Sequence, residues 1–182
     1  PFRERSENAE IATELSLQPW RAFKTDGVIM FSDILTPLPS MGIDFTMVPG
    51  VGPRITNPIQ SVQDIEKLRP LVDCAASLPF VGTTLQNLRR ETEGKTSLIG
   101  FIGAPWTLAA YSVEGGQSKL CAKMKRLMLE QPAAANALLL HLSDALFTYA
   151  EYQIQSGAEI IQIFDSWAHH LSEAQFEALA KP

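Results

Sequence analysis

Three short apolar runs constrain this chain more than any other feature: Val28-Ile29-Met30-Phe31, Leu98-Ile99-Gly100-Phe101-Ile102 and Ile160-Ile161-Gln162-Ile163-Phe164. None alternates with polar residues, as a half-solvated strand would. Continuous runs of this length read as strands buried on both faces, the pattern of a parallel sheet covered by helices. The intervals between them carry helical spacing, so the chain reads as βαβ units and an α/β fold.

The order of elements follows from local signals. Ser6 is placed to cap a first helix with Ile11, Leu15 and Trp20 on one side, and Pro19 ends or kinks it. Asp26-Gly27 is a turn before the first strand. A Pro/Gly-rich excursion runs from Thr36 to Pro58, with short strands expected at Ile43–Val48 and Arg54–Thr56 on either side of Pro49-Gly50. Ser61-Val62-Gln63-Asp64 resembles a helix N-terminus, and a longer helix is expected over Leu78 to Thr92, stopped by Glu93-Gly94. After the second strand, helices are expected over Trp106–Val113, Ser118–Glu130 and from Pro132 to about Gln155, with Gly157 ending the last. Ser172-Glu173-Ala174-Gln175 has the form of a capping box for a final helix. No repeat and no linker interrupts the 182 residues, which read as one domain.

Composition narrows the function classes. At 46% hydrophobic and 19% charged, the chain has an ordinary globular balance, which excludes disorder and low-complexity architecture. A net charge of −5 argues against nucleic acid as a partner. The longest apolar run, Leu98 to Tyr111, is broken by Gly100, Gly103 and Pro105, and is too short to span a bilayer. Two cysteines, Cys74 and Cys121, are too few for a disulfide framework and read as free buried thiols of a reducing compartment. The opening Pro1-Phe2-Arg3-Glu4-Arg5 has neither an initiator Met nor the form of a signal peptide, so the chain reads as processed or truncated.

In parallel α/β architectures, functional side chains gather where strands end. That rule selects Ser32 and Asp33 after the first strand, Gly103 to Trp106 and then Tyr111 after the second, and Asp165, Ser166 and Trp167 after the third. Asp33 stands among Phe31, Ile34 and Leu35, where a carboxylate needs partners or a task. Two readings of it stand side by side, a turn cap and a functional acid. Asp165-Ser166 divides the same way, and Tyr111 reads either as a core aromatic or as a site residue. The adjacent His169 and His170 point in different directions and do not form a metal-ligand spacing. Arg89-Arg90 and Lys119 to Arg126 read as solvated helix faces. Neither a Gly-rich phosphate loop nor a Gly-x-Ser-x-Gly elbow is present.

Several of these segments resemble one family. Phe2-Arg3-Glu4-Arg5-Ser6-Glu7-Asn8, Leu17-Gln18-Pro19-Trp20 and Phe31-Ser32-Asp33-Ile34-Leu35-Thr36-Pro37-Leu38 are similar to uroporphyrinogen decarboxylases. So are Gly100-Phe101-Ile102-Gly103-Ala104-Pro105-Trp106-Thr107-Leu108, Tyr111-Ser112-Val113-Glu114-Gly115-Gly116 and Gln162-Ile163-Phe164-Asp165-Ser166-Trp167-Ala168. The resemblance implies a (β/α)8 TIM barrel, of which this chain holds about the first half, and a homodimer when full length. It implies no metal and no organic cofactor. The implied reaction is decarboxylation of the four acetate side chains of uroporphyrinogen III to coproporphyrinogen III, in haem and chlorophyll synthesis. The family's aspartate maps onto Asp33, its pocket tyrosine onto Tyr111 and its pocket serine onto Ser166, while Ile29, Phe31, Phe101 and Phe164 match apolar pocket positions. Asp165 lies in a position where some relatives carry Glu.

The sequence departs from the family twice. An Arg-Gln-Ala-Gly-Arg-Tyr segment, whose arginines bind substrate carboxylates, belongs upstream of Phe2, and a Gly-His-Gly segment belongs far downstream. A (β/α)8 barrel needs about 250 residues, so the chain is expected to be the first part of a longer enzyme, inactive by itself and prone to associate through its open sheet faces. The alternatives are a corrinoid or thiol methyltransferase of the same barrel superfamily, which would bind zinc through His and Cys, and a non-catalytic half-barrel product. The expected compartment is the cytoplasm, or the plastid stroma in a photosynthetic eukaryote.

Overall fold

The computed structural model describes residues 2–181 of the chain, so Pro1 and Pro182 of the single domain read above lie outside the described residues. Helix α1 (Phe2–Ser6) and helix α2 (Ala9–Phe23) lead into strand β1 (Gly27–Ile29). The excursion that follows holds α3 (Leu38–Met41), β2 (Phe45–Val48), β3 (Gly52–Ile55), α4 (Val62–Glu66) and α5 (Cys74–Ser77). Then come α6 (Pro79–Thr92), β4 (Ser97–Gly103), α7 (Pro105–Glu114), α8 (Ala122–Glu130), α9 (Pro132–Gln155), β5 (Ile160–Phe164) and α10 (Glu173–Gln175), which runs on into a π-helical turn, Phe176–Ala180. Strands β1, β4 and β5 form a parallel sheet in the order β1-β4-β5, and β2 and β3 form an antiparallel hairpin.

Register and side-chain alternation divide the sheet into two faces. Leu98 is fully buried toward the helices, and a Cβ at Gly100 would strike Gln153 of α9. The period of two then puts Ile99 and Phe101 on the opposite face, joined through the register by Ile29, Ile160, Gln162 and, from the end of β5, Phe164. The helix-facing side is a dry layer of Val28, Leu98, Leu85, Leu88, Leu138, Leu142 and Leu146. The other face is open: Ile29 is 43% exposed and Ile160 48%. Three parallel strands with helices on one side only are the arrangement of a partial (β/α) barrel, with that open face as its inside.

The β1–β4 pairing ends early. Odd-numbered β4 residues bond toward β1, as in Ser97 N–H to Asp26 O (3.1 Å) and Met30 N–H to Ile99 O (3.0 Å). Phe101 would be next, but β1 has already diverged. The fully buried Gln153 takes the vacated place: Phe101 N–H donates to Gln153 Oε1 and Gln153 Nε2 donates to Phe101 O, both at 2.9 Å. On the other side of the split, Phe31 N–H donates to Ser16 Oγ of α2 at 2.8 Å. Two helical side chains thus satisfy the backbone groups freed where the strands part.

Several local expectations are corrected. The cap of the first long helix is Asn8, whose side chain accepts from Glu10 and Ile11 N–H; Ser6 lies inside α1. The buried side of α2 is Ala12, Thr13, Ser16 and Leu17, while Ile11 is exposed, because the helix turns its small residues toward the sheet. The first strand is Gly27–Ile29 rather than Val28–Phe31, since pairing with β4 stops at the split. Residues 118–121 are not helical: Cys121 takes a left-handed conformation (φ 52°) that delays α8 to Ala122. The capping box at Ser172 and Gln175 forms, but the α-helix it starts is short. Strand β5 is not buried on both faces, for β4 is its only strand neighbour among the described residues and Ile163 is 56% exposed.

Replacing Gln153 by Leu keeps the bulk and strands the N–H and C=O of Phe101. Each buried orphan costs about 1–3 kcal/mol. The substitution is expected to lower stability by roughly 2–5 kcal/mol in urea denaturation, far more than an exposed Gln on the same helix such as Gln155.

Candidate active site

The segment after β1 leaves the sheet as Phe31-Ser32-Asp33 and turns back on itself at once. Asp33 Oδ1 accepts from Leu35 N–H at 2.7 Å and Asp33 O accepts from Thr36 N–H at 3.1 Å. The turn-cap reading of Asp33 is therefore correct for one oxygen. The other, Oδ2, hydrogen-bonds nothing among the described residues. Burial pushes the Asp33 carboxyl above the usual carboxylate range, opposed by the Leu35 N–H. One oxygen thus anchors the turn and the other has no partner among the described residues.

Tyr111 arrives from α7, which starts at Pro105 directly after β4. Thr107 and Tyr111 are four residues apart and share a helix face. That face meets the loop after β5. Thr107 Oγ1 donates to Asp165 Oδ1 at 2.6 Å and accepts from Trp167 N–H at 3.1 Å, and the Tyr111 and Trp167 ring centroids are 4.6 Å apart. Trp106 Nε1–H adds a bond to Trp167 O at 3.0 Å. Asp165 is thereby a structural tie between β5 and α7. Burial raises the Tyr111 phenol above its ordinary value, a polar contact with Trp167 opposes this, and the negative charge of Asp33 raises it further.

The open face of the sheet carries an apolar groove. Phe101 and Phe164 meet edge to face with centroids 5.5 Å apart. With Ile29, Phe31 and Ser32 they line a groove of about 490 Å³ that α2 closes on one side. Ser166 stands apart: it is exposed, its side chain makes no hydrogen bond among the described residues, and its carbonyl contacts His169 Nδ1 at 2.9 Å. Of the seven positions, Ile29, Phe31, Phe101 and Phe164 line this one groove, Asp33 stands in the turn after β1, Tyr111 packs on Trp167 from α7, and Ser166 is exposed. Sequence reasoning missed the supports, Ser16, Thr36, Thr107 and Gln153. A hydroxyl or amide at a helical position facing the sheet is the signal that could have found them.

The fold defines a class, a partial (β/α) barrel, whose candidate site joins an apolar groove and a half-buried carboxylate that follows the first strand. The family described as uroporphyrinogen decarboxylase (URO-D) matches residues 1–182, and the chain belongs to that family. Over 181 residues, 100% of this chain, it is 52% identical to uroporphyrinogen decarboxylase of Crocosphaera subtropica and 52% identical to that of Trichormus variabilis. The chain spans about half the length (51%) of these curated relatives. Among solved structures, a methyltransferase from Methanosarcina mazei superposes with a TM-score of 0.80 at 16% identity, over 98% of this chain and 52% of that one, a likeness of fold. Among the described residues no helix is long and apolar enough to cross a membrane.

The raised Asp33 pKa has a sign for stability. The folded state holds the neutral acid better than the unfolded state does, so stability falls as pH rises from about 3.9, the unfolded value, through the raised native one. Asp33→Asn keeps the acceptor for Leu35 N–H and cannot ionise. It is expected to melt higher than the parent at pH 7 and to lose that advantage at pH values below about 3.9. Thermal melts of both proteins across this range check it.

Proposed function

We propose that this chain supplies the Asp33 side of a uroporphyrinogen decarboxylase site, removing carbon dioxide from the four acetate side chains of uroporphyrinogen III to leave methyl groups. The observation that carries the reading is the half-buried Asp33, whose Oδ2 has no hydrogen-bond partner among the described residues, in the turn that follows the strand whose Ile29 and Phe31 line the apolar groove with Phe101 and Phe164. Loss of carbon dioxide from an acetate breaks its C–C bond and leaves an electron pair on the methylene carbon. Protonation of the adjacent pyrrole carbon beforehand makes the ring cationic and ready to accept that pair. A proton added to the methylene gives the methyl group, and loss of the proton first added to the ring carbon restores the pyrrole. Asp33 accepts pyrrole N–H groups and faces the cation, an arrangement prepared before the reaction begins. The apolar floor strengthens that attraction by excluding water.

Tyr111 serves as a hydrogen-bonding partner for the reacting acetate or for Asp33, and Ser166 as a rim contact for a propionate or acetate arm. The active assembly in this reading is a homodimer working without a cofactor. The methyltransferase reading has no comparable support: Cys74 lies in α5 and Cys121 before α8, both buried and away from the strand ends. Burial holds both thiols high, at about 11, so they are protonated at neutral pH.

The test is anaerobic turnover of uroporphyrinogen III by protein expressed from its complete coding sequence, with coproporphyrinogen as readout. Asp33→Ala is expected to lose about 100- to 1,000-fold in rate, as for loss of one prepared electrostatic partner. Near-parent turnover in that variant would sink the assignment. Tyr111→Phe keeps the ring against Trp167 and removes one hydroxyl, a hydrogen bond worth about 0.5–1.5 kcal/mol, so a loss of roughly tenfold or less is expected. A loss as deep as that of Asp33→Ala would make Tyr111 an acid rather than a positioning group.

A further inference from the structure

The turn that carries Asp33 is held by hydroxyl groups that the reaction itself does not call for. Asp33 N–H donates to Thr36 Oγ1 at 3.3 Å, and Thr36 N–H donates back to Asp33 O at 3.1 Å. Thr36 thus grips the aspartate backbone on both sides. Its hydroxyl also meets Ser32 Oγ at 3.0 Å, on the residue just before Asp33. Thr36 is only 8% exposed, so water is poorly placed to substitute for these bonds. Ser32 and Thr36 thus form a pair of hydroxyls beside the backbone of Asp33.

We propose that Thr36 is a positioning residue for Asp33, with Ser32 backing it. The inference rests on the decarboxylase reading and deepens it. Thr36 is not a catalytic residue, since it lies behind Asp33 in the turn. Its β-branch stiffens χ1 and aims the hydroxyl in one direction. With both backbone groups of Asp33 held and Oδ1 fixed by Leu35 N–H, the free Oδ2 has one place to point. A misplacement of about 1 Å in such a group costs on the order of 100-fold in rate, so partial loosening is visible in kcat.

The experiment uses Thr36→Val, which keeps the shape and removes the hydroxyl, and Thr36→Ser, which keeps the hydroxyl. Two readouts are taken on protein from the complete coding sequence: kcat and KM for uroporphyrinogen III, and amide hydrogen exchange over Phe31–Leu35. Thr36→Val is expected to lose about tenfold in kcat with KM within about twofold, and to speed exchange at Asp33. Thr36→Ser is expected to recover most of both. Unchanged kcat in an active parent, a loss that Ser does not rescue, or an Asp33 amide as protected as in the parent overturns the proposal. If the parent does not turn over uroporphyrinogen III, the functional reading fails and the exchange data alone decide the grip on Asp33. Should Thr36→Val not fold, Ser32→Ala removes the backing hydroxyl that meets Thr36 Oγ1. A kcat loss of about threefold with KM unchanged then supports the proposal, and parent-like kcat overturns it.

Discussion

The parting of β1 from β4 is the event on which the rest of this structure depends. A parallel pair that stayed zipped would carry Phe31 and Asp33 onward in the sheet. Pairing instead stops at Met30, and Gln153 takes the hydrogen bonds of Phe101 that the next β1 residue would have made. Ser16 does the same for Phe31 on the opposite side. Without such partners the split would leave buried N–H and C=O groups unpaired, at a cost comparable to a sizeable part of a domain's net stability. Gly100 belongs to the same device, because any side chain there would displace Gln153.

Once the strands part, the carboxylate can be held at a depth that does not suit it. Burial opposes its charge, and only one of its oxygens is compensated, by Leu35 N–H. A half-buried carboxylate of this kind stores unfavourable solvation, which is what a proposed cationic ligand would relieve. The rim around it is correspondingly well tied: Thr107 joins Asp165 and the Trp167 backbone, and Trp106 secures the same loop. The excursion after Asp33 also reaches back to the rim, through Ile55 N–H to Gly115 O and Ile59 N–H to Ser112 O.

The elements that could be read from the sequence are those with strong local causes. Helix α9 begins at Pro132 and α6 ends at Glu93-Gly94 as expected, and the Ser61–Asp64 capping box is present. The hairpin strands fall at Phe45–Val48 and Gly52–Ile55 because Pro49-Gly50 turns the chain between them. The misreadings have a common origin in contacts between distant residues. Ile11 faces solvent although its spacing suits a buried stripe, because the sheet accepts only the small side of α2. Residues 118–121 have helical composition, yet Cys121 is turned into a left-handed conformation before the helix begins.

The sequence by itself determined the parallel α/β class, through three apolar runs set among helices, and the positions where strands end, which single out Asp33 and Tyr111 as candidates; the apolar groove residues were legible only through resemblance to a family. Periodicity and turn chemistry are properties of neighbours in the chain, and need no fold to be visible. Only the tertiary structure decided which oxygen of Asp33 is left without a partner, that Tyr111 packs on Trp167, and that Gln153 and Ser16 take up the backbone groups freed where β1 and β4 part. Those outcomes depend on hydrogen bonds across as many as 52 residues of chain, where a polar side chain in a helix and a backbone group in a strand carry no mark of each other until packing brings them together.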